Sequence, residues 1–209
     1  MSLGVQFFII QMAALFIFST SNFIITQFYG PAEVTPFNIA FKYFGIMLSV
    51  FLMILTPFWS AYTEALVKGD REWIERTNRK LKNIWYLMVL AVIAMVLIAD
   101  RVYALWVGNE IHVPYSLSVT MALYILIISW CSIFSFFVNS AGKLRLQLWA
   151  AVIIAIENVA LSVMFAKSHT WGSTGVILST CIALFPSCFL WPIQMKKLLR
   201  GTATGIWAK

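Results

Sequence analysis

The sequence predicts an all-α, polytopic membrane protein, a bundle of about six transmembrane helices. Three observations lead there. Of 209 residues, 61% are hydrophobic and only 11% charged, where an ordinary soluble domain has about 25% charged residues; mean hydropathy is +0.86. Uncharged runs recur at lengths that match a hydrocarbon layer about 30 Å thick, which takes roughly 20 helical residues at 1.5 Å each. Lysine and arginine, finally, fall almost wholly on alternate sides of those runs, as the positive-inside rule requires.

The runs place six spans at about 3–28, 35–63, 83–99, 115–139, 146–166 and 174–195. The first closes at Gly30-Pro31, the second is interrupted only by Lys42, and the fifth encloses Glu157. The N-terminal run carries no charge from Met1 to Ala32 and lacks a basic leader, so it reads as a span rather than a cleavable signal. Residues 68–82 predict a short interfacial helix, with Asp70 as its N-cap and Trp73, Ile74, Thr77 and Leu81 on a weakly apolar face. Residues 196–209 form a basic tail. The whole chain, 1–209, is thus one six-helix lobe with no soluble domain.

Counting cations orients it. Lys68, Arg71, Arg76, Arg79, Lys80, Lys82, Lys143, Arg145, Lys196, Lys197, Arg200 and Lys209 lie on one side, against Arg101 and Lys167 on the other. Both termini are therefore expected in the cytoplasm. The net charge of +7 is a topology signal, and nucleic acid is not an expected partner.

Chemistry-bearing motifs are missing. There is no glycine-rich phosphate loop, no His-Glu-x-x-His, no carboxylate pair and no Cys/His cluster. Cys131, Cys181 and Cys188 fall in apolar stretches, where they act as small hydrophobes. Neither enzymatic activity nor a cofactor or metal is expected.

What remains are polar groups inside the spans. An ionisable side chain at the bilayer centre costs on the order of 2.5–3.5 kcal/mol, so its presence points to function. Glu157 sits about 16 Å along the fifth span, too deep to snorkel, and is expected to face the bundle interior or a wet cavity as a possible ion-coupling group. Lys42 is about 10 Å from the outer end of the second span. It belongs to a stripe of Asn38, Lys42, Gly45, Ser49, Thr56, Ser60 and Thr63 at helical spacing. Such a stripe is either helix–helix glue or the wall of an aqueous pathway, and the lysine favours the pathway. Gln11, Ser19, Asn22 and Thr26 form a similar face on the first span, and Ser129, Ser132, Ser135 and Asn139 on the fourth. Pro57, Pro186 and Pro192 each delete a helical hydrogen bond; Pro57 and Pro186 are the candidate hinges.

Several segments together resemble the C-terminal half of a Wzx-type polysaccharide flippase of the MOP (MATE-like) superfamily. They are residues 30–44 (GPAEVTPFNIAFKYF), 57–65 (PFWSAYTEA) with Lys68-Gly69-Asp70 and Trp73-Ile74, 103–108 (YALWVG), 139–147 (NSAGKLRLQ) and 201–207 (GTATGIW). The chain departs from the family pattern at Ser140 and at Val159-Ala160. The resemblance implies one of two six-helix lobes around a cationic cavity in a bacterial inner membrane. It implies that a lipid-diphosphate-linked oligosaccharide is carried to the periplasmic leaflet; on that reading the polar faces supply the cargo contacts, Lys42 attracting the anionic headgroup and Asn38, Asn22, Ser49 and Asn139 offering hydrogen bonds. The expected partners are that cargo, membrane lipids, a second lobe, and polysaccharide polymerase or glycosyltransferases. The alternatives are a MATE-like drug or cation exporter, which calls for an acidic cavity, and a six-helix module with no transport of its own.

Overall fold

A computed structural model describes residues 3–108, 110–168 and 170–208. Every regular element in it is helical: α1 (Leu3–Tyr29), α2 (Val34–Lys68), α3 (Arg71–Val107), α4 (Tyr115–Ser140), α5 (Arg145–Lys167), α6 (Gly172–Leu184) and α7 (Ser187–Arg200). Single 3-10 turns lie at Pro31–Glu33 and Gly205–Trp207. Counting α6 and α7 as one broken span, six helical segments are long and apolar enough to cross a membrane. The chain is a multi-pass membrane protein.

α4 is the post of the bundle. It buries Leu117, Met121, Ile125, Ile133 and Phe137 completely and packs against α2, α3, α6 and α7. α1 packs along α5 and α6 but touches α2 only sparsely.

Two helices run longer than the apolar runs predicted. α2 has 35 residues and α3 has 37, about 52 and 55 Å at 1.5 Å per residue. The pair therefore projects beyond a hydrocarbon layer of about 30 Å as a helical hairpin. The charged segment expected to be a separate interfacial helix is instead the first turns of α3. Its weakly apolar face is the reason: Ile74, Thr77 and Leu81 are buried, and Trp73 meets the buried Tyr62 of α2 edge-on at 6.0 Å. The turn itself follows the local sequence. Gly69 takes the left-handed conformation (φ 71°) that favours glycine, and the Asp70 carboxylate accepts from the Trp73 N–H at 2.9 Å.

The last span breaks at Phe185-Pro186, between α6 and α7. Pro57, by contrast, lies inside an unbroken α2, and Pro192 inside α7. Pro192 cannot donate to the carbonyl of Cys188 four residues earlier. The indole N–H of Trp130 on α4 donates to that carbonyl instead, at 3.1 Å. Deeper in the bundle, Asn158 donates to Thr180 at 2.7 Å and Ser162 hydrogen-bonds Ser179. These bonds join α5 to α6 where Gly175 brings the backbones close; a Cβ there would lie 3.1 Å from that of Phe165.

Trp130→Phe should lower stability in detergent by about 0.6 kcal/mol, the usual worth of a hydrogen bond between membrane helices. In a Pro192→Ala background, where the helix can satisfy Cys188 itself, the loss should vanish. Thermal unfolding of the four proteins measures the coupling, and equal losses in both backgrounds would disprove it.

Candidate functional site

The predicted site residues separate into three places. On α2 the polar stripe is real: Lys42, Ser49, Ser60 and Thr63 are exposed, Thr56 is exposed where it borders a cavity, and Asn38 and Gly45 are half-buried. Ser49 and Thr56 donate to the carbonyls of Gly45 and Leu52 on their own helix, at 3.0 and 2.8 Å. Those hydroxyls are satisfied wherever they face. The Lys42 ammonium has no carboxylate within 4.0 Å among the described residues. One turn away, the Asn38 amide donates to the side-chain oxygen of Asn22 on α1 at 3.0 Å. The structure thus brings Asn22, Asn38 and Lys42 together at one end of the α1–α2 face, with Ser49 two turns farther along.

Asn139 is elsewhere. It lies at the opposite end of the lobe, in a cavity of about 500 Å³ bounded by α1, α2, α4, α5 and the α6–α7 break. Its lining includes Gln11, Thr56, Ser132, Ser135, Gln147 and Ser187. Three polar atoms there, Asn139 Oδ1, Gln147 Nε2 and Ser187 Oγ, are buried and have no hydrogen-bond partner in the protein. Buried polar groups are rarely left so, and the space is ample for water or a hydroxyl-bearing ligand. Gln147 and Ser187 were not legible as a pair. Gln147 stands on α5, whose polar residues Gln147, Glu157, Asn158 and Ser162 mark no single face, and the one signal for Ser187 is the Pro186 before it.

Aromatic rings bridge the seam above this cavity. Phe7 of α1 stacks on Trp59 of α2 at 5.4 Å, and Trp59 meets Phe136 of α4 edge-on at 5.7 Å. Farther along, Phe18 packs on Phe41 at 4.6 Å. The seam between α1 and α2 is therefore held by the Asn22–Asn38 bond and a few ring contacts, with the cavity behind it.

Glu157 corrects the expectation of an inward carboxylate. It is exposed on the outer surface of α5 with Ile153 and Ile156. Asn158, the next residue and about 100° around the helix, is the one that points inward and is wholly buried. Of the two candidate hinges, Pro186 sits at a helix break and Pro57 does not.

The arrangement can be set beside proteins of known structure. The lobe superimposes on a multidrug resistance MATE family transporter of the MOP superfamily in its outward-facing conformation, with a TM-score of 0.74 and 16% identity. The match covers 95% of this chain and 44% of that one. The chain has the fold of a little under half of that structure. At the sequence level, the chain is 22% identical over 201 residues to a Salmonella typhimurium protein named as an O-antigen transporter, covering 93% of this chain and 45% of the relative. It is also 22% identical over 151 residues to a Yersinia pseudotuberculosis protein named as an O-antigen export protein, covering 71% of this chain and 34% of that one. The chain spans less than half the length of these relatives. No family model matches it.

If Trp59 closes the α1–α2 seam of this lobe, Trp59→Ala should expose Cys131, which lines the cavity. With Cys181 and Cys188 replaced by serine, modification of Cys131 by a small maleimide should speed up about 10-fold or more. An unchanged rate would mean that the rings do not close the cavity.

Proposed function

We propose that the chain is the C-terminal lobe of a flippase that moves oligosaccharide units linked to a polyprenyl diphosphate. Transport runs from the cytoplasmic to the periplasmic leaflet of a bacterial inner membrane, with both termini of the lobe in the cytoplasm. A second lobe faces the α1–α2 surface and completes the pathway. The observation that carries this reading is Lys42: an ammonium with no carboxylate within 4.0 Å among the described residues, exposed within a membrane span on a face where Ser49 and Ser60 stand among exposed Ile46 and Met53.

The chemistry follows from what the cargo lacks in hydrocarbon. A diphosphate cannot leave water without replacement of its hydration, because an isolated charge in an apolar medium is prohibitively costly. Lys42 supplies the counter-charge. Asn38 and Asn22, already bonded to one another, offer amide groups to sugar hydroxyls, and Ser49 extends the polar track along α2. Asn139 contributes from the cavity once the α1–α2 seam parts. The polyprenyl tail stays in lipid throughout. Glycosyltransferases act before the flipping step and a polymerase after it. The relatives' names agree with such a cargo, and the shared fold agrees with a two-lobe machine. Glu157 has no part in this reading, since it lies on α5, away from the α2 stripe, beside exposed Ile153 and Ile156.

Lys42→Glu should abolish surface-polysaccharide export in a complementation assay while leaving the amount of protein in the membrane unchanged; Lys42→Arg should retain export. Normal export by the Glu variant would refute the assignment. Drug efflux dependent on Glu157 would replace it with a MATE-like exporter.

A further inference from the structure

α3 and α7 each pack on α4 and leave a groove between them on a side of the lobe that neither α1 nor α2 lines. Its inner part is an apolar trough of about 570 Å³, floored by Leu126 and Trp130 and walled by Trp85, Phe189 and Ile193. That volume falls within the range of small-molecule sites, roughly 300–1,000 Å³. At Trp130 and Pro192 the trough runs into a second pocket of about 390 Å³ whose character reverses. Arg79 and Lys82 come to it from α3, Lys196 and Arg200 from α7, with Glu75 and Asn78 beside them. Among the described residues none of the four cations has a carboxylate within 4.0 Å. Asn78 Oδ1 is buried there without a hydrogen-bond partner.

We propose that this groove binds an anionic phospholipid, its acyl chain in the trough and its phosphate among Arg79, Lys82, Lys196 and Arg200. Charge complementarity selects the occupant: four cations against one carboxylate, at the end of the bundle where the chain's basic residues gather, suit a phosphate and not a neutral headgroup. Continuity selects its shape, because the basic pocket opens directly onto an apolar slot. Either a phospholipid or the polyprenyl diphosphate of the proposed cargo would offer a phosphate on a hydrocarbon chain. The groove's place, away from Lys42 and the α1–α2 face, favours the bulk lipid, held as a fixed wedge between the two helices that line it. The pocket stands whether or not the lobe transports anything.

Native mass spectrometry of the full chain, released from mixed micelles, tests it. Phosphatidylglycerol should be retained in preference to phosphatidylcholine with the same chains. The double substitution Arg79→Gln/Lys196→Gln should cut its retention about 30-fold, as expected for two surface cations. Glu75→Gln should raise it, and Ile193→Trp, which fills the trough, should abolish it. Equal retention of the two lipids, or indifference to the charge substitutions, would overturn the proposal. So would displacement of phosphatidylglycerol by an equal concentration of undecaprenyl diphosphate, which would give the groove to the cargo instead.

Discussion

The lobe is organised by the burial of one helix on four sides. With α2, α3, α6 and α7 all packed on α4, no room remains for α1 to reach that post along its length. α1 attaches through α5 and α6, and its border with α2 becomes a seam. Membrane helices have no hydrophobic drive to close such a border, since lipid is as apolar as they are. Among the described residues, the Asn22–Asn38 amide pair and a few aromatic rings help to close it. The same crowding explains the groove on the other flank, where α3 and α7 both pack on α4 and line the space between them. Both openings of the lobe are consequences of how its central helix is buried.

Unsatisfied backbone is the second constraint, because the hydrocarbon layer offers nothing to bond to. A proline can be kept in such a helix where a neighbour supplies the missing donor, as Trp130 does for the Cys188 carbonyl freed by Pro192. At Pro186 no such repair is made across helices; the Phe185 N–H turns back to the Cys181 and Ile182 carbonyls at 3.0 and 3.3 Å, and the span breaks. The break places Ser187 Oγ, without a partner, at the wall of the internal cavity. A packing defect and a polar lining thus have one origin.

The six spans, the Asp70 cap and the polar stripe on α2 were all legible from residue type and spacing. Direction was not. In a soluble helix the apolar side points inward, but in a membrane helix lipid and core both select apolar residues, so periodicity loses its sign. α5 shows the cost: Ile153, Ile154, Ile156, Glu157 and Asn158 give no preferred face, and the ionisable residue, rather than the amide, was expected inside. The length of α2 and α3 escaped for a different reason. Charge ends a hydrophobic run but need not end a helix, and Ile74, Thr77 and Leu81 continue the buried face through the charged segment.

For function, the deciding matter is what the outward face of α2 meets. A stripe of self-satisfied hydroxyls would tolerate lipid, whereas Lys42 would not sit easily there. The direct measurement is labelling from water, in cells and in a chain whose native cysteines are replaced by serine. Lys42→Cys and Ser49→Cys on α2 are compared with Leu97→Cys on the exposed flank of α3. A charged, membrane-impermeant thiol reagent should modify the two α2 positions about 10-fold or more faster than position 97, as an aqueous cleft between lobes requires. If all three stay equally unmodified while the protein is present in the membrane, the face meets lipid and the pathway does not run along it.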